Sequence, residues 1–326
     1  MMQKLRWLWI LCLMCVLTGC SAAATDTVPQ GTNEPGNTVP QLPEKLAKNE
    51  AGIPILKVYV TDDETVEEMD IESYLLGVVA GEMKNDWPME ALKAQAILAR
   101  TFVLKFCDEK ESKYAGADIS TDIEEAQAYD ATAVNERVEQ AVKETEGLVL
   151  SNQGELPYAW FHAHSGGMTA KAKEGLNYEK EEPAYTRVTA GMESEKAPAD
   201  AATWEATFGE TEFVTAARKS GLKNLKELKT VEVGERGVSG RAVTLMVNGS
   251  SVPAANLRIQ LGSTKMRSTL LSSLKLEDGK VFMAGKGYGH GVGMPQWGAY
   301  GLAETGKTAE EIVTYYFQDV SVEKVW

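Results

Sequence analysis

The chain has 326 residues, with 33 lysines and arginines against 47 aspartates and glutamates and a formal net charge of −14. That balance argues against nucleic acid or an anionic polymer as a general electrostatic partner. The length suits one large domain or two closely packed halves.

The N-terminus reads as an export signal. Lys4 and Arg6 precede an apolar run from Trp7 to Leu17 that is too short to span a bilayer, and small residues follow it. Leu17-Thr18-Gly19-Cys20 resembles a bacterial lipobox, which implies removal of residues 1–19 and acyl chains on Cys20. The protein is then expected on the outer face of the cytoplasmic membrane, lipid-anchored and facing the cell wall; an uncleaved anchor helix gives the same topology. Cys12 and Cys15 leave with the signal, so Cys107 is the one interior thiol and no disulfide framework can form. Residues 20–50, rich in Ala, Thr, Pro, Asn and Gly, are expected to be a solvated tether with a mean reach of roughly 30 Å. Residues 51–326 form the globular part.

Ile55 to Val60 is a predicted strand. The following stretch, DIESYLLGVVAGEMKNDWPMEALKAQAILARTF from Asp70, predicts two helices meeting at a corner. Asp70 caps the first, whose Leu75, Leu76, Val79 and Met83 recur at helical spacing, and Pro88 opens the second. Glu82 falls on the last turn before the corner, where a carboxyl is rigidly held and can face a cleft. Val79, Met83 and Trp87 around it suit desolvation, which raises a carboxyl pKa and favours a general acid. Arg100 lies on the apolar side of the second helix and needs an anionic partner there, either in a structural ion pair between the helices or in a functional site.

Lys110 to Thr132 is polar and aperiodic. A helix is predicted over about Ala133 to Glu146, stopped by Gly147, then a β-hairpin with strands Leu148 to Leu150 and Leu156 to His162 turning at Asn152-Gln153-Gly154. Its second strand delivers His162, Ala163, His164, Ser165, Gly166 and Gly167, with the two histidines on one face. Ser165 lacks the Gly-x-Ser-x-Gly setting of a hydrolase nucleophile. Zinc on His162 and His164 would need His290, Cys107 or a carboxylate to complete it, so no cofactor is the favoured reading and zinc the lesser one.

Further on, a strand is predicted at Trp204 to Phe208, a helix at Phe213 to Lys219, and a hairpin over Leu228 to Val247 turning at Gly237 to Gly240. A helix at Pro253 to Leu261 and strands at Ser268 to Leu276 and Val281 to Ala284 follow. The Gly-rich stretch GKGYGHGVGMPQWGAY begins at Gly285 and leads into a helix through Gln296, Trp297 and Tyr300; it lacks the ending of a phosphate loop. Thr308 and Glu311 make a capping box for the last helix. Irregular alternation of helices with hairpins predicts an α+β fold, with a mostly antiparallel sheet and a substrate cleft, rather than a doubly wound fold. Aromatics at 87, 158, 160, 288, 297 and 300 suit sugar faces, although large aromatics are commonly core.

YLLGVVAGEM, ALKAQAILARTF, FHAHSGGMT and the segment from Gly285 to Phe317 resemble, in order, the signature segments of the stage II sporulation protein D (SpoIID) family, whose wider group includes amidase enhancers. The resemblance implies a peptidoglycan lytic transglycosylase that cuts glycan strands lacking stem peptides, working beside an amidase and other engulfment proteins during sporulation. It places the catalytic glutamate on Glu82 and an important arginine on Arg100, and a further basic residue on Arg187. Gln95, His162, His164, Ser165, Gly166, Gly167, Arg187, His290, Gln296 and Trp297 then fall to substrate binding. Lys84 and Met168 depart from the family pattern, as does the lipobox, and the Cys/His cluster that binds zinc in some members has no counterpart. The alternative is a non-catalytic amidase enhancer that binds peptidoglycan.

Overall fold

The structure, a computed structural model, describes residues 39–326. The expected signal segment, the lipidation site at Cys20 and the first part of the tether lie outside these residues. The polar stretch ends sooner than the sequence suggests. Leu46 is buried, Leu42 packs on the same core, Lys45 donates to the carbonyl of Lys110, and Lys48 bridges to Pro54. The apolar side chains at 42 and 46 draw this segment onto the domain.

Strands β1 (Ile55–Val60) and β2 (Thr65–Asp70) form an antiparallel hairpin that feeds directly into helix α1 (Ile71–Glu82). Asp70 caps α1 by accepting from the Ser73 N–H at 2.8 Å. After the corner, α2 (Met89–Glu109) starts behind Pro88 and runs 21 residues, buried along most of its length. It is the axis of the first core, because α1, α3 (Glu136–Glu144), α8 (Gln296–Glu304) and α9 (Ala309–Tyr316) all pack on it. A short strand, β3 (Ile119–Ser120), lies parallel to β1, and a 3₁₀ turn at Ala131–Ala133 precedes α3.

The turn expected after β4 (Leu148–Ser151) forms. Asn152 and Glu155 exchange N–H bonds of 2.9 and 3.1 Å around Gln153 and Gly154 at positive φ. The hairpin does not. β4 pairs with the C-terminal β13 (Ser321–Lys324), and β5 (Phe161–His162) pairs in parallel with β12 (Met294–Pro295). Pro157, without an N–H, interrupts the ladder the second strand would need.

After short helices α4 (Ala172–Leu176) and α5 (Ala199–Ala202), residues 203–286 build a second core of their own. It comprises β6 (Thr203–Gly209), α6 (Glu210–Lys219), β7 (Val231–Val233), β8 (Thr244–Val247), β9 (Ser250–Pro253), α7 (Ala254–Leu261), β10 (Leu271–Glu277) and β11 (Lys280–Lys286). The strands make two antiparallel sheets, ordered β10-β11-β6 and β7-β8-β9. The chain then returns to the first core through the Gly-rich stretch and β12. The architecture is α+β, with β1–β3 and β5–β12 the parallel pairings between named strands. Among the described residues no helix is long and apolar enough to cross a membrane.

Candidate active site

Glu82 ends α1, half-buried, with its carboxyl held from both sides. The Ala128 N–H donates to Oε1 at 2.7 Å, and the Gln296 amide donates to Oε2 at 3.2 Å and to the Glu82 carbonyl at 3.0 Å. Burial pushes the pKa above the ordinary value of 4.5, and these two hydrogen bonds oppose the rise without cancelling it. Among the described residues no cation pairs with this carboxyl. The geometry is that of a group which keeps its proton to higher pH than a surface glutamate and is fixed in orientation.

The loop that brings Ala128 is admitted by two glycines on one face of α1. A Cβ on Gly81 would lie 2.7 Å from the Tyr129 nitrogen and 2.8 Å from the Ala128 carbonyl carbon, and one on Gly77 would lie 2.3 Å from the Tyr129 ring. The Asp130 N–H donates to the Gly77 carbonyl at 2.9 Å, and Tyr129 stacks on Tyr74. Sequence reasoning missed Ala128. The available signal was the pair of glycines four residues apart in an otherwise apolar helix, a groove for close backbone approach.

Two further glutamines border the site. Gln95, from α2, places Oε1 3.5 Å from the Gln296 amide nitrogen, while its own amide nitrogen is buried without a protein partner. Gln127 precedes Ala128, and both polar atoms of its buried side chain also lack protein partners. Unused buried donors and acceptors of this kind are uncommon outside sites that receive a ligand or water.

Arg100 is fully buried and faces elsewhere. Its Nε and one terminal nitrogen donate to the two oxygens of Glu72 at 2.9 and 2.6 Å, and the other terminal nitrogen donates to the Leu148 carbonyl at 2.9 Å. Of the roles open to it, the structure shows pairing with another carboxylate, a two-pronged tie between α1 and α2 that does not reach Glu82. Arg187 is likewise away from this carboxyl, donating to the Tyr315 carbonyl at 3.2 Å and lying over the Tyr315 ring.

The FHAHSGG stretch and the Gly-rich stretch lie against each other. His164 and Tyr288 exchange main-chain hydrogen bonds, and the Trp297 N–H donates to the Ala163 carbonyl, so the stretch ends beside Gln296. His162 Nδ1 faces the Val292 carbonyl at 3.2 Å, its Nε2 is buried without a partner, and its ring lies 5.4 Å from that of His290. Burial, then the charges of Arg258 and Arg241, hold His290 down to about 3; burial, then His290 and Arg241, hold His162 well below 6.5. His164 accepts the Gly166 N–H on Nδ1 at 2.9 Å, so it is neutral at that atom although Glu193 stands 3.5 Å away. Among the described residues, no three of His, Cys, Asp and Glu are grouped where they could hold a metal ion.

Ser165 gives its hydroxyl and its N–H to Glu193, and a Cβ on Gly166, at φ +75°, would strike Leu270. Gly167 is exposed at φ +109°. These three residues shape a turn. Arg241, which the sequence did not single out, holds that turn from the second core, donating to the Ser165 carbonyl at 2.5 Å and the Met168 carbonyl at 2.8 Å. Trp297 packs in the core against Trp87 at 4.5 Å, which leaves Tyr300, half-buried beside them, as the more accessible ring.

The chain matches two family profiles, Stage II sporulation protein over residues 59–151 and a domain of unknown function over residues 169–293. It is similar to stage II sporulation protein D of Bacillus amyloliquefaciens, 30% identical over 278 residues that cover 81% of this chain and 77% of that protein. Against stage II sporulation protein D of Bacillus subtilis the identity is 28% over 295 residues, 86% of this chain and 81% of the other. An amidase enhancer of Bacillus subtilis is 29% identical over 289 residues, 74% of this chain but 39% of that longer protein.

Proposed function

The chain belongs to the stage II sporulation protein D family, and from that premise we propose that it is a sporulation cell-wall enzyme, a lytic transglycosylase acting on peptidoglycan strands that lack stem peptides. The observation that carries this reading is the Glu82 carboxyl, raised by burial, oriented by Ala128 and Gln296, and paired with no cation among the described residues. Protonated Glu82 gives its proton to the glycosidic oxygen as the bond to the muramic C1 breaks. The resulting carboxylate then takes the proton of the C6 hydroxyl, whose oxygen closes on C1 to form the 1,6-anhydro ring. No water enters, so the second carboxylate of a hydrolase is not required. Anchoring through Cys20 at the outer face of the membrane, and work beside an amidase that strips the strands, belong to the same proposal.

The test is product analysis. Purified protein given stripped strands is expected to release 1,6-anhydromuramic ends, and Glu82→Gln to release them about 10²–10⁴-fold more slowly. Similarity to an amidase enhancer favours a second reading, in which the protein has no cleavage of its own and instead accelerates an amidase. That reading expects no anhydro ends from the protein alone and faster amidase turnover in its presence.

A further inference from the structure

Where α7 meets the Gly-rich stretch, a group of polar side chains has no part in the chemistry above. Arg258, on α7, is 8% exposed, and its Nε donates to the Arg267 carbonyl at 3.0 Å. Among the described residues its two terminal nitrogens have no hydrogen-bond partner, and no carboxylate pairs with it. Burial holds this guanidinium down to about 10, and the group that opposes the fall is the Tyr288 phenol. Arg267 lies 5.1 Å over the ring of Tyr288 and gives one terminal nitrogen to Asp200, to its carbonyl and, at 3.5 Å, to its largely exposed carboxylate. The hydroxyl of the half-buried Tyr288 also lacks a partner among the described residues. His290, held down by burial and then by the charge of Arg258, accepts the Val292 N–H on Nδ1 at 3.0 Å and supplies no anion. Two guanidiniums thus converge on one tyrosine with a single solvated carboxylate to balance them, in a chain whose net charge is −14. A buried guanidinium without a counter-charge is costly to the fold.

We infer that this is an oxyanion subsite, in which the terminal nitrogens of Arg258, with Arg267 and the Tyr288 hydroxyl beside them, receive a carboxylate of peptidoglycan. With Nε committed to the Arg267 carbonyl, Arg258 presents the end of its fork, two parallel N–H groups that match the two oxygens of a carboxylate. A phosphate fits the same fork. The choice of a carboxylate rests on the function proposed above, because the anions of peptidoglycan are carboxylates, borne by the lactyl group of muramic acid or by the stem peptides. The incoming group supplies the counter-charge that the fold does not, in a place where desolvation is already complete. An arginine that merely packs its stem on apolar surface and leaves its tip in water needs neither a second guanidinium nor an unpartnered hydroxyl beside it. The subsite and Glu82 are served by one stretch of chain. His290 and Gln296, which holds the Glu82 carboxyl, are six positions apart, at most about 20 Å of extended backbone.

The full chain is titrated by NMR with four probes: N-acetylmuramic acid, whose carboxylate is lactyl; muramyl dipeptide, whose carboxylate is on the peptide; inorganic phosphate; and uncharged N-acetylglucosamine. At least one carboxylate probe should bind more tightly than N-acetylglucosamine, and which one does so identifies the source of the carboxylate. Arg258→Met should weaken that binding roughly 10-fold or more and leave N-acetylglucosamine unaffected. Tyr288→Phe removes one hydroxyl and should weaken it roughly 2- to 10-fold; it reports even if Arg258→Met fails to fold. Carboxylate probes that bind no better than N-acetylglucosamine, parent-like carboxylate binding by either folded variant, or binding of phosphate alone overturns the inference. A lower denaturation midpoint for Arg258→Met with carboxylate binding unchanged does the same, since it makes the residue a structural one. This reading and the cleavage reading fail separately. No anhydro products from a chain that shows these binding effects would remove the cleavage reading alone, and normal products with no effect at Arg258 would remove the subsite alone.

Discussion

Burial, rather than a neighbouring anion, raises the Glu82 pKa above its ordinary 4.5, which is the direction that favours a proton donor. Glu82→Gln keeps the shape and removes the transferable proton, so cleavage should fall by about 10²–10⁴-fold while the fold survives. The sign of the pH effect on stability follows from the same shift. Between 4.5 and the raised value the native state holds a proton that the unfolded chain has lost, so stability falls as pH rises through that window. Melting curves should show wild type matching Glu82→Gln in acid and dropping below it as pH rises. Arg100 obeys different physics. Glu72→Gln would leave its buried guanidinium without a counter-charge, at a cost of about 3–5 kcal/mol, seen in chemical denaturation and not in the rate per folded molecule. An unchanged denaturation midpoint would remove the ion pair from the structural account.

At the scale of elements, α1 and the loop at residues 126–130 act as one unit. Gly81→Ala should push the Ala128 and Tyr129 backbone away and break the N–H bond to Glu82, because neither neighbour is a flexible side chain. That bond opposes the raised pKa, so its loss should move the acidic group of the pH–rate profile upward and lower the rate; a profile like wild type would show that the loop does not position Glu82. These elements also show what a sequence can yield. Apolar spacing and caps locate the β1 strand, the α1–α2 corner with Glu82 at its end, and the capping box of α9, since each is decided within a few residues. The partner that satisfies Arg100 lies 28 residues away and Ala128 lies 46 residues from Glu82, distances at which no local period speaks. The failed hairpin has the same cause. β4 and β5 found partners more than 130 residues further along the chain, and only Pro157 hinted that they would not find each other.

At the scale of the whole molecule, two cores meet at the turn that Arg241 holds. Arg241→Met should cost ~1–3 kcal/mol for the buried Ser165 carbonyl it leaves unpaired, and less for the part-buried Met168 carbonyl, read as a lower denaturation midpoint. Nearby His162 and His290 remain neutral when folded, whereas in the unfolded chain they take up protons from about 6.5 downward. Stability should therefore fall as pH drops below 6.5 toward 3, and His290→Asn should lessen that fall in denaturation midpoints measured across the range. The proposed cleavage at Glu82, in the site that these cores support, is read in the chemistry of the new ends. Stripped glycan strands incubated with the purified chain and resolved by mass are predicted to end in 1,6-anhydromuramic acid, lighter by one water than a reducing end. Reducing muramic ends, or no cleavage by a folded protein, would contradict it.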